Sequence, residues 1–206
     1  SALYTKALNV AKDIKVAKQK ILDILHGNGS IVFTASGTES DNMAMFGSKK
    51  FKDCKVLVSE IEHSAIYQSA KKLQAQGVQV EFVKCDCNGI VCENDFKDKL
   101  TSNVALVSIM HVSNETGGIN DIEKFVSMTK AIAPKAIFHS DGVQAVGKMP
   151  INLNKLGVDL YTFSAHKFHG MKGVGGLYIK KGVNINPIIF GGGQENGLRS
   201  ATENVC

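Results

Sequence analysis

Residues 159–173 read Asp159-Leu-Tyr-Thr-Phe-Ser-Ala-His-Lys-Phe-His-Gly-Met-Lys-Gly173. The apolar residues at the start of this stretch predict a short buried strand, which gives way at Ser164 to small, basic and glycine residues. Lys167 therefore follows a core strand, where its amine could reach into a cleft and lose part of its hydration. A desolvated lysine is a nucleophile toward carbonyl compounds, whereas most loop lysines are simply solvated. This stretch alone leaves both interpretations open.

Outward from this stretch, the chain alternates predicted strands and helices. Apolar residues at helical spacing indicate helices over about 3–24, 40–47, 64–76, 94–100 and 122–132. Apolar runs of strand length predict strands at 31–33, 56–58, 78–83, 104–109, 136–138, 159–163, 176–179 and 187–190. This order predicts an α/β fold with a mainly parallel central sheet, right-handed crossovers and helices on both faces.

The composition is that of an ordinary globular chain. The 206 residues are 44% hydrophobic and 21% charged, which is enough for one sizeable core. The net charge of +5 is modest and the lysines are scattered, so the sequence does not indicate a nucleic-acid surface. No apolar run has the length of a membrane span and the N-terminus does not resemble a signal peptide, so we expect a cytoplasmic protein without a membrane partner.

Five cysteines are scattered along the chain, and their pattern predicts neither disulfides nor a metal site. Their number is odd, which argues against a disulfide framework. The spacing of Cys85, Cys87 and Cys92 matches no C-x2-C zinc pair, and Asn88-Gly89 marks a turn between them. We interpret them as incidental thiols around a turn.

Polar residues follow five of the predicted strands, at the edge where parallel sheets bind ligands. After strand 31–33, Gly37 and Thr38 open a helix that could bind a phosphate through free backbone amides or could be ordinarily capped. His63 follows strand 56–58 and could lie over an aromatic ligand or cap a helix. Asn114 follows strand 104–109 and is either a polar contact to a ligand or a turn residue.

The remaining two strand ends add a carboxylate and the lysine. Asp141 could hold a protonated ring nitrogen or begin a turn, and Gln144 could reach a phenolic oxygen. Ser164, His166 and Lys167 come from the opening stretch. Pyridoxal phosphate needs a lysine for its aldehyde, an acid for its pyridinium nitrogen and a nest for its phosphate. The combined set suits that cofactor.

Six segments, in this order, resemble the NifS/IscS-type cysteine desulfurases of the class V aminotransferase (fold type I) group of pyridoxal-phosphate enzymes. The segments are Thr34-Ala-Ser-Gly-Thr-Glu-Ser-Asp-Asn42, Glu62-His-Ser-Ala65, His111-Val-Ser-Asn-Glu-Thr-Gly117, His139-Ser-Asp-Gly-Val-Gln144, Ser164-Ala-His-Lys167 and Gly191-Gly-Gly-Gln-Glu-Asn-Gly-Leu-Arg-Ser-Ala-Thr-Glu-Asn204. They cover nearly the whole chain.

The resemblance implies a role for each site residue. Lys167 would form the Schiff base with the cofactor, and His63 would stack on the ring. Asp141 would hold the pyridinium nitrogen, Gln144 the ring hydroxyl oxygen, and Asn114 would lie beside cofactor and substrate. The phosphate would be bound by residues from two strand ends, namely Gly37, Thr38, Ser164 and His166. Thr202 would reach the phosphate of a neighbouring subunit, which implies a homodimer.

The resemblance also implies a function and a domain organisation. Family members are about twice as long, so we expect residues 1–206 to be the large cofactor-binding domain, without the N-terminal segment and the small domain with the catalytic cysteine loop. The parent protein would convert L-cysteine to L-alanine and pass sulfur, through a cysteine persulfide, to an acceptor or scaffold protein for iron–sulfur cluster assembly. Cys206 does not match the catalytic cysteine, so we expect this chain alone to be inactive. The alternatives are a selenocysteine lyase or another class V enzyme, and a truncated, non-catalytic binding or scaffold domain.

Overall fold

The computed structural model describes residues 5–48 and 53–205, and Leu3 and Cys206, which enter the predictions above, lie outside this range. Helices and strands alternate along the chain as predicted. The helices are α1 (Thr5–Ile24), α2 (Gly37–Gly47), α3 (Ser64–Ala75), α4 (Glu93–Lys99), α5 (Ile122–Ile132) and α6 (Leu153–Leu156). The strands are β1 (Ser30–Thr34), β2 (Lys55–Ser59), β3 (Gln79–Val83), β4 (Val104–Ser108), β5 (Ile137–Asp141), β6 (Leu160–Ser164) and β7 (Gly175–Ile179). Two 3-10 turns cover Ala165–Phe168 and Glu195–Gly197.

The seven strands form one mixed sheet in the order β1-β7-β6-β5-β4-β2-β3. Strands β2 to β6 pair in parallel, while β7 is antiparallel to both of its neighbours, β1 and β6. Because β7 runs against both, β1 points in the same direction as β6. The carboxyl ends of β1, β2, β4, β5 and β6 therefore lie on one edge of the sheet, and this is the edge where the predicted site residues follow their strands.

Side chains alternate between the two faces of the sheet, and helices cover both. In β2, Val56 and Val58 pack with Met45 of α2 and Ile66 of α3, whereas Leu57 belongs to the core on the other side. That second core also contains the aromatic side chains of α4 and α5, Phe96 and Phe125, which meet edge to face. The prediction of an α/β fold with a mainly parallel sheet and helices on both faces is confirmed.

Two local predictions need correction, and one short helix was not predicted. The helix expected from residue 40 begins at Gly37, because the Ser36 hydroxyl accepts a hydrogen bond from the Glu39 backbone amide at 3.2 Å and caps the first turn. The strand expected at 187–190 is absent from the described residues: only Ile189 forms an isolated bridge, to Arg199. The short helix α6, capped by Asn152 and ended by left-handed Gly157, was not predicted.

The long N-terminal helix is amphipathic in sequence, but its apolar stripe is only partly covered. Leu22 lies in the main core, while Val10 is 36% and Ile24 is 72% exposed. Within residues 5–48 and 53–205, no helix has the length and apolar character needed to cross a membrane.

Candidate functional site

The turn from β1 into α2 forms an anion-compatible corner. Helix geometry leaves the first amides of α2, those of Gly37 and Thr38, without intrahelical acceptors, and the helix dipole adds positive potential there. Gly37 is buried, and a Cβ at this position would come within 2.9 Å of a Val143 methyl group. Only glycine therefore lets the backbone approach the loop after β5 this closely.

The end of β6 supplies the predicted serine, histidine and lysine. Ser164 is the buried last residue of the strand, and its hydroxyl lies 3.0 Å from His166 Nδ1. His166 and Lys167 belong to the following 3-10 turn, and both are exposed. The expected desolvation of Lys167 is thus not produced by the chain's own atoms. The lysine is nevertheless held at the strand end, on a short rigid turn.

Asp141 and Gln144 project from the end of β5. Asp141 is the last residue of the strand and is 4% exposed, and one of its oxygens accepts a hydrogen bond from the Val143 amide at 2.8 Å. Burial raises the pKa of Asp141, while the Val143 amide and nearby His63 lower it. The half-buried Gln144 accepts a hydrogen bond from Lys148 Nζ at 2.5 Å. Because burial favours the protonated form of Asp141, a cation beside this carboxyl would stabilise its ionised form.

His63 and Asn114 complete the rim of the cavity, and their roles toward a ligand stay predictions. His63 is half-buried, and its Nδ1 accepts a hydrogen bond from the Ala65 amide at 3.2 Å, so it caps α3 while it lines the cavity. Asn114 is exposed in the loop after β4 and donates to Glu115 Oε1 at 2.6 Å. It also lines the cavity.

Nine of the ten predicted site residues line one cavity of about 250 Å³. They are Gly37, Thr38, His63, Asn114, Asp141, Gln144, Ser164, His166 and Lys167. Thr202 is separate: it is exposed and lines a second cavity of about 500 Å³, beside α1 and the segment that follows β7. The structure thus brings together five strand ends and leaves Thr202 outside them.

Asp41 also lines the smaller cavity and was not assigned a role from the sequence. It lies one helical turn after Gly37, is 1% exposed, and its Oδ1 has no hydrogen-bond partner among the described residues. Burial raises the pKa of Asp41 well above its ordinary value, and the charge of Asp141 adds to the effect. One feature of the sequence could have indicated Asp41. It lies four residues after Gly37, so both residues lie on the same face of α2.

Glu62 is a second buried carboxyl that sequence reasoning passed over, although it immediately precedes His63. Its Oε1 accepts hydrogen bonds from the Ser59 hydroxyl at 2.5 Å and from the Met110 amide at 2.6 Å. Burial and the charge of Asp141 raise the pKa of Glu62 to about 8, against the lowering effect of both hydrogen bonds. It links the ends of β2 and β4 beneath the cavity.

The four described cysteines lie apart from this cavity and have free thiols. The predicted turn is present: Asp86 Oδ1 accepts hydrogen bonds from the Asn88 and Ile90 amides at 2.9 and 2.8 Å. Burial raises the pKa of Cys85 to about 11, so its thiol is protonated at neutral pH. Among residues 5–48 and 53–205, no three His, Cys, Asp or Glu side chains are grouped as metal ligands.

The cavity is compatible with pyridoxal phosphate. Its wall offers free helix amides and hydroxyls to a phosphate, a lysine amine to an aldehyde, and buried carboxyls to a cationic ring nitrogen. Asp41 adds a buried carboxyl to this lining, and its Oδ1 lies 3.7 Å from His139 Nε2, too far for a hydrogen bond. These features are those of an α/β protein that binds an anionic, carbonyl-bearing ligand at the carboxyl edge of its sheet.

Comparison with known proteins agrees with this description. The family model for aminotransferase class-V matches residues 1–204, so the chain belongs to that family, whose members depend on pyridoxal phosphate. The chain is 41% identical over 197 residues to a cysteine desulfurase IscS of Dictyoglomus turgidum, and 38% identical over 211 residues to cysteine desulfurase IscS 1 of Archaeoglobus fulgidus. These alignments cover 94% and 100% of the chain but 50% and 54% of the relatives, so the chain spans about half the length of the curated relatives it matches.

Solved structures give the same result. A NifS-like protein superposes with a TM-score of 0.92 at 37% identity, covering 98% of this chain and 57% of the other. The protein SspA in complex with cysteine superposes with a TM-score of 0.91 at 30% identity, covering 100% of this chain and 60% of the other. The predicted resemblance to the NifS/IscS group is confirmed.

Proposed function

We propose that the protein is a pyridoxal-phosphate-dependent cysteine desulfurase, and that residues 1–206 form its large, cofactor-binding domain. The observation that carries this proposal is the convergence of nine predicted site residues, from five strand ends, on one cavity. The identity to relatives named cysteine desulfurase supports the reaction, and the cysteine complex of SspA supports an amino-acid substrate of this kind. The cytoplasmic location stays a prediction.

In this proposal, the cavity residues hold the cofactor. Gly37 and Thr38 bind the phosphate from the start of α2, together with Ser164 and His166 from the end of β6. His63 stacks on the ring, Gln144 contacts the ring hydroxyl oxygen and Asn114 lies beside cofactor and substrate. Asp141 would keep a proton on the ring nitrogen. The protonated nitrogen is a cation, so it would stabilise the ionised form of Asp141 and oppose burial, which raises the pKa of Asp141.

Lys167 carries out the proton chemistry. When bound, pyridoxal phosphate supplies an aldehyde and an electron-withdrawing ring that accepts the electron pair of a broken Cα bond. Lys167 would hold the cofactor through its side-chain amine, and the same amine would move protons at the substrate Cα as general base and acid. Its place on the short turn after β6 fixes the backbone of Lys167 at the strand end, and the side chain is exposed.

The proposal includes two kinds of protein partner. Thr202 is exposed and outside the cavity, which is compatible with a role at the phosphate of a second copy in a homodimer. A sulfur-acceptor or scaffold protein would receive the sulfur from the full-length parent. Neither partner follows from the cavity itself.

Replacing Lys167 with alanine tests the proposal. We expect the wild-type chain, incubated with pyridoxal phosphate, to turn yellow and to keep the cofactor on one lysine after borohydride reduction. Lys167→Ala should lose both properties, because the reacting amine is gone. Lys172→Ala is the matched control, since Lys172 is an exposed lysine five residues further along the same loop region, and it should behave like wild type. Absorbance and peptide mapping of the reduced protein measure the result, and an adduct on Lys172 in the Lys167→Ala protein would show the assignment to be wrong.

A further inference from the structure

The first turn of α2 separates the two cavities. Ser36, Gly37 and Thr38 line the smaller cavity, whereas Thr34 and Ala35 line the larger one. The carboxylate of Glu39 closes this turn: its Oε2 accepts a hydrogen bond from the Ala35 amide at 2.8 Å, while the Glu39 amide donates to Ser36 Oγ at 3.2 Å. Together these two hydrogen bonds fix the backbone from which the Gly37 and Thr38 amides project.

A side chain from far along the chain pairs with the same carboxylate. Arg199 Nε donates to Glu39 Oε1 at 2.6 Å, and its Nη2 donates to Oε2 at 3.2 Å. Both side chains are largely buried, with 18% and 15% of their surface exposed. The pair is bidentate and shielded from water, so it is stronger than an ordinary surface ion pair.

An unpaired Glu39 would disturb the anion site next to it. A carboxylate at a helix N-terminus normally stabilises the helix, but here it would lie within one turn of the amides that face the phosphate. Two like charges at such short range, in a partly buried site, repel each other measurably. Arg199 offsets the charge of Glu39 and leaves in place the hydrogen bond that the Ala35 amide donates to Glu39 Oε2.

We propose that Arg199 is a positioning residue for the anion cradle: by pairing with Glu39, it prevents the carboxylate that closes the first turn of α2 from repelling a phosphate bound at Gly37 and Thr38. The inference rests on the proposed function, because it assumes that a phosphate binds there. The segment that carries Arg199 and Thr202 would then act on the phosphate site of its own subunit through the charge of Arg199, without contacting the phosphate.

The proposal makes the two members of the pair act in opposite directions. Arg199→Gln leaves one uncompensated negative charge beside the cradle and should weaken binding of inorganic phosphate and pyridoxal phosphate by roughly tenfold. Glu39→Gln keeps an amide oxygen for the Ala35 amide and leaves a positive charge, so its affinity should equal or exceed that of wild type. The double variant is neutral again and should bind nearly as tightly as wild type.

Calorimetric titration of the four proteins with inorganic phosphate, pyridoxal phosphate and pyridoxal measures these effects. Pyridoxal lacks the phosphate, so its affinity should not follow the charge series. Arg199→Lys keeps the charge and should retain most of the affinity. Lys18→Gln is the matched control, because Lys18 pairs with Glu195 and holds the same segment against α1 without touching Glu39; it should bind phosphate like wild type. Thermal unfolding checks that each variant is folded.

Three results would overturn the inference without contradicting the proposed function. The first is phosphate binding that Glu39→Gln weakens as much as Arg199→Gln does, and the second is a double variant that binds phosphate no more tightly than Arg199→Gln; either would mean that the pair only tethers the segment. The third is phosphate binding by Lys18→Gln as weak as that by Arg199→Gln, which would attribute the effect to docking of the segment and not to charge. If Arg199→Gln does not fold, comparing phosphate binding by Glu39→Gln and by wild type still tests the inference. A pair that only tethers the segment predicts weaker phosphate binding by Glu39→Gln. Absence of pyridoxal phosphate binding by the wild-type chain would instead contradict the proposed function.

Discussion

Two buried carboxyl groups, Asp41 and Asp141, line the candidate cavity, and a third, Glu62, accepts a hydrogen bond from the amide of the cavity residue Met110. Burial raises the pKa of each, and the charge of Asp141 raises those of Asp41 and Glu62 further. Burial acts in the opposite sense on the neighbouring imidazoles and lowers the pKa of His111 to about 4 and that of His139 to about 3. These two histidines are therefore neutral near pH 7 and do not offset the charge of the buried carboxyls.

Glu62→Gln should change how the stability of the protein depends on pH. A raised pKa of about 8 in the folded state, against 4.5 when unfolded, means that the folded protein keeps a proton that the unfolded chain releases. Wild-type stability is therefore lost as the pH rises from about 4.5 to about 8. Glutamine resembles the protonated acid and escapes this loss. We expect the melting temperatures of variant and wild type to be close at pH 5 and the variant to be several degrees higher at pH 8.

The control for this experiment is Glu203→Gln, which changes an exposed glutamate and removes the same charge from the chain. Its melting-temperature difference from wild type should stay nearly constant with pH. A difference between Glu62→Gln and wild type that also stays constant from pH 5 to pH 8 would mean that Glu62 is ionised in the folded protein.

The sequence predicts the rim of the site better than its floor. Residues such as Asp141 and Lys167 follow apolar runs, and the direction of parallel strands alone places them on one edge. Asp41 and Glu62 stand next to recognisable motif residues, but their importance comes from burial and from unpartnered oxygens, which depend on side chains of other elements. The pairing of Arg199 with Glu39 spans 160 positions, and no local pattern encodes it.

At the scale of elements, β7 depends on a glycine near its start, Gly176. Gly176 is in register with Phe33 of β1 on one side and Phe163 of β6 on the other. A Cβ at this position would lie 2.2 Å from the Phe163 ring, and Phe163 is 3% exposed. Because Gly176 has no side chain, the Phe163 ring fits against β7. Phe163 directly precedes the site residue Ser164.

Gly176→Ala should destabilise the protein by about 1–3 kcal/mol, because the methyl group overpacks a core that cannot move aside. Urea unfolding measures the change. Phe163→Leu in the same background tests the cause, since it removes the outer ring atoms: the double variant should lose less stability than the sum of the two single variants. Strict additivity would show that the methyl group and the ring do not collide.

Element types were predictable from the sequence, while several boundaries were not. All five residues of β2 are buried, and the mostly apolar composition of this strand indicates its burial. Residues 187–190 have a similar composition, yet they follow β7 without joining the sheet, and Phe190 is 81% exposed. Pairing partners decide between these outcomes, and a single apolar run carries no information about its partner.

At the scale of the whole molecule, none of the four described cysteines lines the cavity that contains Lys167. Cys54 precedes β2 and so stands at the opposite edge of the sheet from the cavity. Cys85, Cys87 and Cys92 follow β3, which the order of the sheet separates from β6 by four strand spacings, roughly 19 Å at about 4.8 Å each. A thiolate must touch the substrate sulfur to accept it, and none of these four side chains lines the cavity that contains Lys167.

We therefore expect the 206-residue chain by itself to bind pyridoxal phosphate but to release no sulfide from L-cysteine. The cofactor site and the sulfur acceptor would be separate requirements, of which the described residues meet only the first. The assay adds L-cysteine and pyridoxal phosphate to the purified chain and follows sulfide and alanine against a Lys167→Ala control. Sulfide well above that control would contradict the expectation, and a Cys206→Ser variant would then show whether the thiol at Cys206, outside the described residues, is the acceptor. Sulfide that persists in that variant would mean that one of the four described cysteines reaches the site in a second copy of the chain.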